Sequence, residues 1–293
     1  EHHAHLHEGH LPTPLLLALH LAGRTRRIRL GTAVICLNLH HPLAVAEQVA
    51  TADALMDGRG AFGFGSGSTP EEFELFGTPV TEEAERHASF ESALRRIRAA
   101  WSGRSPAGGG AAMAKASILP AAAEDLASRS WLAVNSVGSA GIAGRLGFNM
   151  LYSHLRTPEQ YREYRAAYLA AGGTGKIAAN RPVFVAKTDA AAFDRAELAL
   201  RTLWRRFQSE GKIPAHVAEP RRPEDLCGHP LNFLVGSPPT IARQLAELRA
   251  ATHFDVANVE VRWAGLSSAD IHDSMHHLAE VRESPLFGET PVS

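Results

Sequence analysis

IRLGTAVIC at residues 28–36 and AFGFGSG at 61–67 are short apolar runs, the first rich in β-branched residues. Runs of this length and composition read as buried strands. Between them His41-Pro42 opens a segment in which Val45, Val49, Ala52 and Met56 recur along one helical face, and Gly58 closes it. A strand, a helix and a second strand in that order form a crossover unit, which makes the two strands parallel.

The same alternation extends to both sides. Upstream, Pro12 and Pro14 open a helix over 15–25 that is leucine-rich almost all round and ends in Arg26 and Arg27, where cations suit the helix dipole. Downstream the pattern predicts strands at 131–135, 148–153, 181–187 and 256–263. Helices are predicted at 81–101 (capped by Thr81), 139–146, 157–171, 189–207, 237–250 and 268–281. Thr157 and Gln160 stand at capping-box spacing. Residues 102–117 lack any period and read as loop. Residues 209–231, polar and holding four prolines, read as a lid or a disordered insertion. No linker or change of composition divides residues 1–293, so one α/β domain with a single parallel sheet is expected. Six strands in one sheet favour an eightfold barrel over an open doubly wound sheet, yet they are too few to close it. The chain also opens on a loop before a helix. A first strand-helix-strand unit is therefore expected to be missing at the N-terminus.

Composition narrows the class of function. The 293 residues are 45% hydrophobic and 21% charged, with a net charge of −1. A basic face for nucleic acid is not expected from that balance, nor is a membrane span, since no run approaches the roughly 20 apolar residues required. Two cysteines suit a reducing, cytoplasmic setting and cannot build a disulfide framework.

Several motifs, in order, resemble the luciferase-like monooxygenase superfamily of flavin-dependent enzymes. They are Glu1-His2-His3, IRLGTAV at 28–34, His41-Pro42 with AEQVATADAL at 46–55, and Gly58-Arg59 before the strand ending GFGSG. Glu71-Glu72-Phe73, Phe76-Gly77, WLAVNS at 131–136, Arg145-Leu146-Gly147 and VGSPPTIARQL at 235–245 complete the series. The resemblance implies a (β/α)₈ barrel, with Glu1-His2-His3 just after its second strand. It implies reduced flavin mononucleotide (FMN) delivered by a separate flavin reductase, with O₂ and a small organic molecule as the other substrates. It also implies a homodimer through the helices at 13–25 and 41–57.

The resemblance also assigns residues. His2 would stand near the reactive edge of the flavin, where an imidazole can give or take a proton. Asn135, Ser136 and Ser139 lie where a strand meets a helix N-terminus, an anion site, and match positions around the flavin phosphate. N-capping by Ser139 is the simpler reading of the same residues. Ala33-Val34 matches a non-proline cis peptide under the flavin. Ser66 stands where relatives often carry an arginine, and it can donate only one neutral hydrogen bond in its place. His3, Asn38 and His154 are candidates for the substrate side, and His40 and His41 could face the same mouth. His5, His7 and His10 extend the histidine run, but their alternate spacing does not share a helix face and no metal-binding motif is present, so no metal is expected. Two alternatives remain: a deazaflavin-dependent oxidoreductase on the same barrel, and a non-catalytic flavin-binding homologue, which Ser66 favours.

Overall fold

Strand and helix alternate along the chain as the sequence pattern requires. The computed structural model describes residues 1–4, 11–78, 82–103 and 117–283. The elements are α1 (Pro14–Ala22), β1 (Leu30–Cys36), α2 (Pro42–Leu55), β2 (Gly60–Gly65), α3 (Pro70–Leu75), α4 (Glu83–Trp101), α5 (Leu126–Arg129), β3 (Trp131–Val134), α6 (Val137–Leu146) and β4 (Asn149–Tyr152). They continue with α7 (Pro158–Ala170), β5 (Ile177–Val185), α8 (Asp189–Ser209), β6 (Leu234–Gly236), α9 (Pro238–Thr252), β7 (Val256–Glu260) and α10 (Ser268–Arg282). The described residues thus hold seven strands where six were expected. The added one, β6, is three residues long, too short to show a period. Thr81, expected to cap α4, lies outside the described residues, as do His5, His7 and His10 and most of the loop expected at 102–117.

The chain divides into two compact units. The first spans Glu1–Leu151 and Glu163–Gly175. In it β1 pairs with β2 and β2 with β3, both parallel. Phe62 and Phe64 of β2 are fully buried, and the Phe64 ring meets Trp101 of α4 and Phe148 at centroid distances of 6.2 and 6.3 Å. Gly63 and Gly65 alternate with these rings. A Cβ on Gly63 would lie 2.5 Å from the Thr32 carbonyl oxygen, and one on Gly65 would lie 2.6 Å from Val34 Cγ2. The glycines of AFGFGSG are therefore required by the approach of β1. At that approach the β1–β2 register shifts between Thr32 and Ile35, and the Ala33–Val34 peptide is cis.

The second unit spans Tyr152–Arg162 and runs from Lys176 onward. Here β5 pairs in parallel with β7 over Ala178–Pro182 and with β6 over Val183–Val185. α8 turns Ala192, Ala196, Ala199, Leu200, Leu203 and Phe207 to one side, where they join Phe184 and Trp263 in a common core. Residues 209–231 pack on the same core. They contain a short helical turn at Pro223–Cys227 and bury Ile213, Leu226 and Leu231. Arg201 holds the segment by donating to Glu219 Oε1 and to the carbonyls of Pro220 and Arg221. Three apolar residues spread among prolines leave no periodic trace in sequence. No described helix is long and apolar enough to cross a membrane.

Candidate active site

The histidine pair lies against the end of β1. The Glu1 nitrogen donates to the Val34 carbonyl at 3.3 Å, beside the cis peptide. The Glu1 side chain is only 2% exposed. Its Oε2 accepts the Cys36 N–H at 2.6 Å, and its Oε1 faces His3 Nε2 at 2.9 Å and His40 Nε2 at 2.6 Å. Burial opposes ionisation of Glu1, but the hydrogen bonds from His40, Cys36 and His3 outweigh it and hold the carboxyl below its usual range. The Cys36 thiol is pushed up to about 12 by burial and by the Glu1 charge, so it stays protonated.

Glu72, from α3, completes the group. Its carboxylate is 3% exposed, accepts the His3 backbone N–H at 2.6 Å and lies 3.2 Å from His2 Nδ1. The His2 side chain is 41% exposed. A carboxylate on one ring nitrogen fixes the tautomer and orients the other nitrogen for proton transfer. Glu72 and His40 were not singled out as a catalytic partner and a Glu1 partner by sequence. They reach the histidine run from 69 or 70 and 39 residues away respectively.

Asn38, Ser66 and Arg86 meet nearby. Asn38 Nδ2 donates to the Ser66 carbonyl at 3.0 Å and to the Arg86 carbonyl at 3.1 Å. Among the described residues, the buried Asn38 Oδ1 and Arg86 Nε have no hydrogen-bond partner. Asn38, held on the Ser66 carbonyl, thus keeps a buried acceptor that a polar ligand could satisfy. Ser66 itself donates to the Gly67 carbonyl at 3.3 Å.

Ser136 and Ser139 are joined in a capping box. Ser136 is the N-cap of α6, where Ser139 had been the simpler expectation, and Ser136 Oγ accepts the Ser139 N–H at 3.2 Å. Ser139 Oγ accepts the N–H groups of Asn135 and Ser136 and donates to the Ser136 carbonyl. With its hydroxyl proton committed, Ser139 shapes the turn, while Ser136 and the N–H groups of Val137 and Gly138 face outward at the helix start. His87 of α4 stands close by: a Cβ on Gly138 would lie 3.9 Å from His87 Nδ1. His87, Val137 and Gly138 edge a groove of about 680 Å³ along α4, α6 and α7.

The chain matches the family model described as luciferase-like monooxygenase over residues 1–253. It belongs to the luciferase-like monooxygenase family. This is a family of flavin- or F420-dependent oxidoreductases, and its members share this α/β fold. The oxygenating constituent of 3,6-diketocamphane monooxygenase from Pseudomonas putida, solved in complex with FMN, aligns with a TM-score of 0.73 at 20% identity, covering 96% of this chain and 86% of that one. The 4-hydroxyprotoasukamycin monooxygenase of Streptomyces nodosus subsp. asukaensis is 37% identical over 33% of this chain and 26% of its own length. An F420-dependent glucose-6-phosphate dehydrogenase of Beutenbergia cavernae is 31% identical over 56% of this chain and 49% of its own length. The matches thus cover about half or less of these curated relatives.

One luciferase-like candidate, His154, belongs to the second unit. Its carbonyl accepts Asn232 Nδ2 at 2.6 Å and its ring stands edge-on to Phe233. Burial, helped by the charges of Arg181 and Lys212, pushes its pKa down to about 4. An unfolded histidine titrates near 6.5, so the unfolded chain binds more protons between these two values. The stability that neutral His154 contributes is full above about pH 6.5 and is lost as pH falls towards 4, a difference on the order of 2–3 kcal/mol. His154→Gln should therefore flatten the pH dependence of the urea midpoint across that window. An unchanged slope would show that His154 does not titrate this way.

Proposed function

We propose that this chain is the oxygenating component of a two-component monooxygenase, in which reduced FMN from a separate reductase and O₂ oxidise a small organic substrate. The observation that carries this reading is the His2–Glu72 pair, a part-exposed imidazole 3.2 Å from a buried carboxylate. Bound FMN would supply the oxygen chemistry. Asn38 and Arg86 would satisfy polar groups of the ring system or its side chain. Asn135, Ser136 and the start of α6 would take the phosphate, with Ser139 holding that turn in shape and His87 adding a donor close to it. Arg86 would provide the guanidinium that position 66 lacks. His3 is proposed on the substrate side. A second reading, hydride transfer with a reduced deazaflavin, is favoured by the resemblance to the F420-dependent dehydrogenase.

Ser136→Asp tests the phosphate placement. Aspartate is as good an N-cap as serine, so α6 should survive. Its charge would oppose the phosphate at a cost on the order of 1–4 kcal/mol, weakening FMN binding about tenfold or more while leaving riboflavin binding unchanged. Equal effects on both ligands, or none on FMN, would place the phosphate elsewhere.

The helices at 13–25 and 41–57 are proposed as a homodimer interface. Leu16 of α1 is 63% exposed and Leu55 of α2 is 66% exposed, with Leu17, Leu21 and Ile28 also open. Exposed leucines on both helices call for a cover, and a twofold axis would supply it from the same helices of a second copy. Leu16→Glu with Leu55→Glu should convert a sedimenting dimer to a monomer with unchanged circular dichroism. A native chain that sediments as a monomer at micromolar concentration would contradict the interface.

A further inference from the structure

Glu1, His3 and His40 bring one carboxylate oxygen and two imidazole nitrogens together, with the three donor atoms all within 4.8 Å of one another. We propose that these side chains form a binding site for a divalent first-row metal ion of the zinc class, with Glu1 Oε1, His3 Nε2 and His40 Nε2 as ligands. The site stands independently of the flavin reading.

The donor set is one that such ions take, imidazole and carboxylate together. Both Nε2 atoms already point at a single oxygen, at 2.9 and 2.6 Å. Bonds of about 2.0–2.2 Å to each ligand would separate the donors by roughly 3–3.5 Å, so the two N···O distances need to open by less than about an ångström, and the two nitrogens already lie within 4.8 Å of each other. Each ring now donates its Nε2 proton to Glu1. On binding, a neutral ring shifts that proton to Nδ1, while a ring protonated on both nitrogens releases one proton to solvent; either way the Nε2 lone pair is freed for the ion.

The outer partners that a metal site needs are also present. Glu1 Oε2 is held by the Cys36 N–H, the His3 backbone is held by Glu72, and the His3 ring packs on Phe76 at 4.6 Å. The His40 side chain is 33% exposed, so water can fill the remaining coordination positions. Cys36 Sγ faces the Glu1 carbonyl at 3.7 Å and is outside the ligand set. The absence of a metal expected from sequence rested on the alternate spacing within the histidine run. This site takes only His3 from that run and finds its second imidazole 37 residues further on.

Titration of the full chain with Co²⁺ tests the site through its visible absorption, with Zn²⁺ as competitor. One equivalent should bind and be displaced by Zn²⁺. His40→Ala and the bulkier His40→Gln should each weaken binding by about tenfold or more, the loss that even an outer partner of a ligand produces. Circular dichroism would verify the fold of each variant. Combined replacement of His5, His7 and His10 by alanine should leave binding unchanged. Failure of the native chain to bind one equivalent, unchanged affinity in both His40 variants, or loss in the triple variant would overturn the proposal, the last by assigning the ion to adventitious contact with the histidine run.

Discussion

His2→Ala should lower turnover by about 10²–10⁴-fold, the usual contribution of a positioned acid or base, while the dissociation constant for reduced FMN stays within about twofold. The imidazole lies with Nδ1 3.2 Å from Glu72, and its side chain is 41% exposed. Its removal deletes a proton carrier without opening a core cavity, so the loss belongs to chemistry and the fold is spared. Glu72→Gln should cost less and act differently. It leaves the ring in place but puts a neutral amide where the carboxylate faces Nδ1, so turnover should fall by less than in His2→Ala. Rates are to be compared with the organic acceptor that gives the native chain its highest turnover. Full turnover by His2→Ala would reject the proton-transfer role, and unchanged turnover in Glu72→Gln would reject the positioning role of Glu72.

Arg129→Leu should be among the most destabilising single substitutions in the first unit, at about 3–5 kcal/mol. Arg129 donates through Nη1 and Nη2 to the two carboxylate oxygens of Asp53 at 2.9 and 2.8 Å, and through Nη1 to the Gly60 carbonyl at 2.8 Å. Asp53 Oδ1 also accepts the Gly60 N–H. The pair thus ties α2, the start of β2 and α5 together, with the Asp53 side chain 5% exposed. Taking away the guanidinium leaves a buried carboxylate uncompensated. Adding Asp53→Asn to the leucine variant should restore part of the loss, because the stranded charge is then gone. Chemical denaturation of the three variants checks this. A double variant no more stable than Arg129→Leu alone would locate the cost elsewhere.

What the sequence made legible follows the range of each signal. β1, α2 and β2 were readable because β-branched runs and the Val45–Val49–Ala52–Met56 stripe are local patterns. The Thr157–Gln160 capping box was readable for the same reason, and both of its hydrogen bonds form. α3, α5 and β6 are six, four and three residues long, below the length at which periodicity speaks. Ser136 and Ser139 both carry hydroxyls, so the sequence could not say which of them caps α6; backbone geometry decides for Ser136.

The site divides in the same way. His2, His3, Ser66, Asn135 and Ser136 were accessible as members of ordered motifs. Their partners were not. Glu72 reaches His2 across 70 residues, His40 reaches Glu1 across 39, and Asn38 meets the Arg86 carbonyl across 48. Contacts of that span are made by the parallel sheet, which brings successive strand ends to one rim, and no periodicity records them. Arg129 with Asp53, 76 residues apart, is the structural counterpart of the same effect.

The most direct test of a flavin-using oxygenase is an anaerobic titration of the full chain with reduced FMN and, in parallel, with reduced F420, followed by admission of O₂. Saturable binding of reduced FMN at least about tenfold tighter than F420, with reoxidation of the bound flavin at a rate different from that of free flavin, is the expected result. Tighter binding of F420, or no saturable binding of either cofactor, would contradict it.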